Sequence, residues 1–179
     1  MKRLFTLLAL FAAVSVSVLA QDDDAKYAAD LLKKGTVAPA FKIPDTKGVP
    51  HSLADFKGSY VVLDFWATWC PDCRKDVPKM KELYAAYASS NIAFVGISLD
   101  TDAEALNRFV ADNGMEWLQL SELKKWKQGA ETADAYQVKW IPSLYVIAPD
   151  GRVVLSTVMI DKVEQLLRQI SAVSGIRDR

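Results

Sequence analysis

Metal chemistry has little to work with in this sequence, which contains two cysteines and a single histidine, His51. A structural zinc site needs four ligands, and Cys70, Cys73 and His51 fall one short. No metal is expected, and His51 is given no role, because a lone histidine in a hairpin is commonly structural. Net charge is missing too, since 22 basic residues balance 22 acidic ones and the body of the chain carries no basic cluster. That removes the electrostatic footprint of a nucleic-acid partner. There is no internal repeat and no low-complexity linker. A chain of 179 residues, 51% hydrophobic, suits one domain with a full core.

Long apolar runs are also scarce, and the run that matters opens the chain: Lys2 and Arg3 lead into Leu4 to Val14, then Ser15 to Ala20. This is the pattern of a secretory signal, with Val18 and Ala20 at the small-residue positions and cleavage expected near Ala20, leaving Gln21 first. The alternative, an uncleaved membrane anchor, is disfavoured because Thr6, Ser15 and Ser17 interrupt a run already short for a span. No cysteine follows that would take a lipid. The expected organisation is a signal peptide over 1–20, an N-terminal extension over 21–35 and one domain over 36–175. The mature protein is expected to be soluble in the periplasm or another extracytoplasmic compartment.

Export decides how the cysteines are read, because outside the cytoplasm a thiol pair is either a staple or a redox couple. A bridge between Cys70 and Cys73 closes a very short loop and removes little entropy from the unfolded chain. Stapling is therefore a poor explanation for it.

Around the cysteines the pattern is α/β. A short helix over Ala25 to Lys34, stopped by Gly35, precedes a hairpin from Phe41 through the turn Asp45-Thr46-Lys47-Gly48 to His51, and one helical turn follows over Ser52 to Phe56. Tyr60 to Trp66 is a nearly continuous apolar run, expected to be a central strand covered on both faces. Lys75 to Ala88 repeats Val77, Met80, Leu83, Tyr84 and Tyr87 at helical spacing, with Pro78 expected to kink it. Ile92 to Leu99 predicts a strand, Asp102 to Asn113 a helix ended by Gly114, and Trp117 to Leu120 a weak strand before a polar stretch through Trp126 and Gly129. The chain closes with a strand at Ser143 to Ile147, a turn at Pro149-Asp150-Gly151, a strand at Arg152 to Thr157 and a helix from Asp161 to about Val173.

Two residues between the cysteines at the start of a helix let both sulfurs reach bonding distance and leave only the first near the surface. Cys70 is then the attacking thiol, its thiolate stabilised by unpaired backbone donors and the positive end of the helix dipole. Cys73, one turn in, attacks the mixed disulfide and releases the reduced substrate.

The run Val62-Leu63-Asp64-Phe65-Trp66-Ala67-Thr68-Trp69-Cys70-Pro71-Asp72-Cys73-Arg74-Lys75 resembles the active-site segment of thioredoxins, especially their exported TlpA, ResA and CcmG-type relatives. Tyr136 to Ser143, followed by Pro149-Asp150-Gly151, is similar to that family's cis-proline segment and its hairpin. The resemblance covers about Thr36 to Val173. It implies a thioredoxin fold, a central mixed β-sheet flanked by helices, here with an N-terminal β-hairpin extension. It implies further that Pro142 is cis and faces the cysteines, that Ile141 offers backbone groups to an extended substrate, and that Asp64 assists proton transfer at Cys73. No cofactor beyond the Cys70–Cys73 disulfide is implied. A copper-handling variant of the fold would want a distal histidine, for which only His51 is present.

Two positions depart from the family pattern: Pro71-Asp72 stands where thioredoxin has Gly-Pro, and Ser143 follows Pro142 where threonine is usual. A carboxylate at Asp72 opposes a Cys70 thiolate unless it points into water. The couple is thus expected to be a reductant, nearer thioredoxin's roughly −270 mV than the roughly −120 mV of a strong oxidant. Trp69 and Trp140 are expected to form an apolar rim for a partner, while Trp66, Trp117 and Trp126 are assigned to the core or its satellites.

The resemblance implies an enzyme that reduces disulfides in exported proteins and is re-reduced by a membrane electron donor, with cytochrome c maturation as one client pathway. Two alternatives stand beside it. A peroxiredoxin-like thiol peroxidase would want threonine or serine three residues before its cysteine and proline seven before, where this chain has Ala67 and Leu63. A noncatalytic binding module would have no need to keep Trp69, both cysteines, Asp64 and Pro142 together.

Overall fold

A computed structural model of the protein describes residues 23–89 and 91–174. The expected signal peptide, residues 1–20, lies outside the described residues.

Five strands form the central sheet: β3 (Tyr60–Trp66), β4 (Ile92–Ser98), β5 (Leu118–Ser121), β6 (Ser143–Ile147) and β7 (Val153–Thr157), after a separate hairpin of β1 (Lys42–Pro44) and β2 (Pro50–Ser52). The sheet order is β5-β4-β3-β6-β7, with β3, β4 and β5 mutually parallel and β6 and β7 antiparallel to their neighbours. This is the expected mixed sheet of a thioredoxin fold. β3 is its middle strand, and its side chains are buried on both faces except at Tyr60 and Asp64, which keep some surface. The continuous apolar run is what a strand needs there.

Helices flank the sheet: α1 (Asp23–Tyr27), α2 (Pro71–Tyr87), α3 (Ala103–Asp112), α4 (Glu131–Ala135) and α5 (Ile160–Ser174). α3 follows the sequence closely, because the Asp102 carboxylate caps it by accepting the Glu104 and Ala105 N–H groups and Gly114 takes the left-handed φ just past its end. α2 and α5 pack together and are joined by the ion pair of Lys79 with Glu164 at 2.8 Å. The Trp66 indole N–H donates to Gln119 Oε1 at 3.0 Å, tying β3 to β5 across β4.

Three expectations need correction. The helix expected over Ala25 to Lys34 ends at Tyr27, because Leu31 and Leu32 leave the helical path to enter the core. The chain then runs beside β7, where Gly35 N–H donates to the Val153 carbonyl at 2.8 Å and Val153 N–H donates to that of Thr36 at 2.9 Å, so the sheet edge is covered. The cysteine helix starts at Pro71 rather than Lys75, which makes the cysteine turn its first turn. The polar stretch after β5 contains α4, which has no side-chain cap of its own residue; instead the Glu122 carboxylate accepts the Thr132 N–H at 3.2 Å and its hydroxyl at 2.7 Å, while Ala130 and Ala133 fill the core.

Candidate active site

Pro71 opens α2 where a missing N–H costs nothing, since the first donors of a helix have no partner within it. The first helical bond runs from the Arg74 N–H to the Cys70 carbonyl at 3.1 Å. Cys70 is therefore the N-cap, and its Sγ accepts the Cys73 N–H at 3.2 Å. The two cysteines are joined as a disulfide with Cα atoms 5.3 Å apart, so the structure shows the oxidised couple. After reduction the same N–H and the positive end of a 17-residue helix face a Cys70 thiolate.

The expectation that only Cys70 approaches the surface is not met, for both cysteines are 4% exposed. The loop before β6 supplies the cover: the Ile141–Pro142 bond is cis, and the Ile141 carbonyl oxygen lies 3.6 Å from Cys70 Sγ. Ser143 holds that turn by donating its hydroxyl to the Trp140 carbonyl at 2.7 Å. Trp69 and Trp140 stand out at 54% and 51% exposed, and Pro71 beside them is exposed.

On the other side of Cys70 the turn is clamped. The buried Asp100 carboxylate accepts the Thr68 N–H at 3.0 Å, the Thr68 hydroxyl at 2.6 Å and the Ser98 hydroxyl at 2.7 Å. Thr68 stands two residues before Cys70, so this buried acid at the end of β4 fixes the chain that enters the helix. Neutral donors on every side allow a carboxylate to be buried there.

Two further acids, Asp64 on β3 and Asp76 on α2, stand in the elements on either side of the cysteine turn in sequence. Burial pushes the Asp64 carboxyl up to about 7, with the Asp76 carboxylate adding to the rise. Asp76, on α2, is itself pushed up to about 6 by burial and by the charges of Asp161 and Asp72, against the pull of Lys75. Both groups exchange protons near neutrality. Asp72, by contrast, points into water and pairs with Lys75 at 2.7 Å, so the field it was expected to exert on Cys70 is offset by that cation and by solvent. Asp72 and Asp76 line a cleft of about 430 Å³ that also takes in Ile141, Pro142 and Trp140.

Residues 34–156 match the AhpC/TSA family. The chain belongs to that family. It is 31% identical over 123 residues to the thiol-disulfide oxidoreductase ResA of Bacillus subtilis, an alignment that covers 69% of this chain and spans 66%, just under two thirds, of that relative's length. It is 30% identical over 174 residues to the ResA of Oceanobacillus iheyensis, covering 92% of this chain and 85% of that one. Among solved structures it is similar to a putative thiol:disulfide interchange protein DsbE from Chlorobium tepidum, with TM-score 0.69, 34% identity, and 79% of this chain and 97% of that one covered.

Sequence reasoning missed Asp76, Asp100 and Trp126. Asp76 had a signal, since it lies three residues after Cys73 and so shares its helical face. Trp126, assigned to the core or its satellites, does pack part-buried against the core, and its ring also stacks on Trp69 at 6.1 Å, with the Lys127 ammonium 4.3 Å over its face and 5.8 Å from the Trp140 ring. The rim is thus Trp69, Trp126, Lys127 and Trp140 in sequence. The loop that carries Trp126 has left-handed φ at Leu123 (51°) and Lys127 (61°), which periodicity does not announce. His51 lies away from this group, with Nε2 3.4 Å from Asp45 Oδ2 within the hairpin.

Proposed function

We propose that this chain is an exported thiol-disulfide oxidoreductase that reduces disulfides in extracytoplasmic proteins. Cys70 is the nucleophile, Cys73 the resolving thiol, and the observation that carries the reading is the Cys70–Cys73 disulfide seated at the N-cap of α2 against the Ile141 carbonyl. The ResA-type relatives, named as thiol-disulfide oxidoreductases, support it.

The Cys70 thiolate attacks one sulfur of a substrate disulfide; the substrate S–S bond breaks, a mixed disulfide forms, and the leaving sulfur takes a proton. Asp64, with a carboxyl near neutrality and Asp76 beside it, accepts the Cys73 proton. The Cys73 thiolate then attacks Cys70 Sγ and expels the second substrate thiol. Two electrons and two protons pass to the substrate, and the protein is left as the disulfide. A membrane electron donor of the disulfide-reductase type restores the dithiol. Asp64, on the strand before the cysteines, and Asp76, on the helix after them, disfavour thiolate, which favours the oxidised protein and makes the couple a reductant. That bias comes from Asp64 and Asp76 more than from Asp72.

Pro142 and Ile141 present backbone to an extended client, and Trp69, Pro71, Asp72 and Trp140 border it. The signal peptide over 1–20, the extension over 21–35 and the thioredoxin-like domain over 36–175 belong to the same proposal, as does an extracytoplasmic location. No helix among the described residues is long and apolar enough to cross a membrane. The test is insulin reduction with dithiothreitol, comparing the protein with Cys70→Ser. Turbidity should appear early with the former and at the uncatalysed rate with the latter; equal curves favour the noncatalytic binding module. Membership of the AhpC/TSA family keeps the thiol peroxidase as a second reading, and peroxide consumption faster than insulin reduction would favour it.

A further inference from the structure

The cleft beside the cysteines has a wall that the thioredoxin-like domain does not supply. Asp23 and Tyr27 of α1 line it together with Asp72, Asp76, Ile141 and Pro142. Tyr27 meets Trp140 edge-on, ring centroids 4.9 Å apart and planes at 73°, an arrangement aromatic pairs favour. Trp140, in turn, is one of the two exposed tryptophans of the rim.

One carboxylate holds this short helix in place. Asp24 Oδ1 and Oδ2 accept the Thr157 hydroxyl at 2.8 and 2.7 Å, Oδ1 accepts the Val158 N–H at 2.7 Å, and Oδ2 meets the Lys162 ammonium at 2.7 Å. Charge-assisted bonds of this kind are the stronger class. They tie the extension to the end of β7 and the start of α5, 133 to 138 residues away. The rest of the extension is held independently. Leu31 and Leu32 are buried, Leu32 N–H donates to Tyr145 Oη at 3.2 Å, and the Ser156 hydroxyl donates to the Leu32 carbonyl at 2.8 Å. Releasing Asp24 therefore frees the first helical turn and leaves the edge of the sheet covered.

We propose that α1, pinned by Asp24, is a client-selecting wall: it makes the cleft fit an extended polypeptide next to the disulfide, and it is irrelevant to small disulfides that touch only Cys70. This rests on the reading that polypeptide disulfides are substrates. A wall of this kind contributes binding surface along the client backbone, at roughly 3.3 Å per residue, beyond the two reacting sulfurs. Asp24 is a positioning residue, acting through Tyr27 and Asp23.

The test uses the full chain and two probes, insulin and oxidised glutathione, with Asp24→Ala, Asp24→Asn and Thr157→Val as variants. Asp24→Ala should raise the KM for insulin by about tenfold, and change kcat and the rate of glutathione exchange by less than about twofold. Thr157→Val, which removes the hydroxyl from the other end of the tether, should shift the same parameter in the same direction. Asp24→Asn keeps one carbonyl oxygen for the Val158 N–H and should recover part of the insulin KM. An unchanged insulin KM in all three variants, with the unsubstituted protein active on both probes, overturns this inference alone. Equal losses toward insulin and glutathione also overturn it, because they place the effect at the cysteines. If the unsubstituted protein exchanges with glutathione but leaves insulin intact, the parent reading fails and takes this one with it.

Discussion

Replacing Asp64 by asparagine removes a charge that folding disfavours and keeps the shape of the side chain. The Asp64 carboxyl rises from an ordinary 3.8 to about 7 on folding, so between those pH values the native state holds a proton that the unfolded chain has released. The contribution of Asp64 to native stability therefore falls as pH rises from about 4 to 7, and its cost is fully present above 7. At about 1.4 kcal/mol per pH unit the ceiling is about 4 kcal/mol, and solvent at the partly exposed carboxyl reduces this to about 2 kcal/mol or more. Asp64→Asn should accordingly be about 2–4 kcal/mol more stable than the parent at pH 8, with the difference vanishing near pH 4 where both side chains are neutral. Urea unfolding of the oxidised protein at the two pH values measures this through the midpoint at constant slope. Release of substrate from the mixed disulfide should meanwhile slow and lose its rise with pH near 7. A variant less stable than the parent at pH 8, or a stability gap equal at both pH values, refutes the reasoning.

Asp100→Ala strands the part-buried Thr68 N–H and two hydroxyls and should cost about 3 kcal/mol of stability by urea unfolding, with glutathione exchange slowed because the turn before Cys70 loosens. Unchanged stability would show that Asp100 is not the clamp described. Gly96→Ala places a Cβ 2.9 Å from Gln119 Cδ and 3.0 Å from Trp66 Nε1, on the bond that ties β3 to β5, and should destabilise by about 1–3 kcal/mol in the same assay. A neutral result would mean that this layer of the core can yield.

The sheet and its long helices were legible because burial and periodicity coincide in them. Tyr60 to Trp66 reads as a middle strand because its apolar run is unbroken but for Asp64, and Asp102 with Gly114 brackets α3 by local cap chemistry. What was hidden depends on distant partners. α4 is five residues long, and the Thr132 N–H near its start is satisfied by Glu122, ten residues earlier. Nothing local says that Asp24 will meet Thr157, or that Trp126 will stack on Trp69 through a loop with left-handed residues. In the site, the cysteines and Pro142 announce themselves by motif. Asp76 required asking which residues share the helical face of Cys73, and the screening of Asp72 required knowing where Lys75 points.

The central claim is that Cys70 attacks a polypeptide disulfide and Cys73 completes the exchange. Cys73→Ala, expressed as the full chain in an envelope-bearing cell, should accumulate a mixed disulfide that mass spectrometry locates on Cys70 and on a cysteine of another protein. A Cys70 found only as free thiol, sulfenic acid or glutathione adduct, with no protein partner attached, would contradict the account.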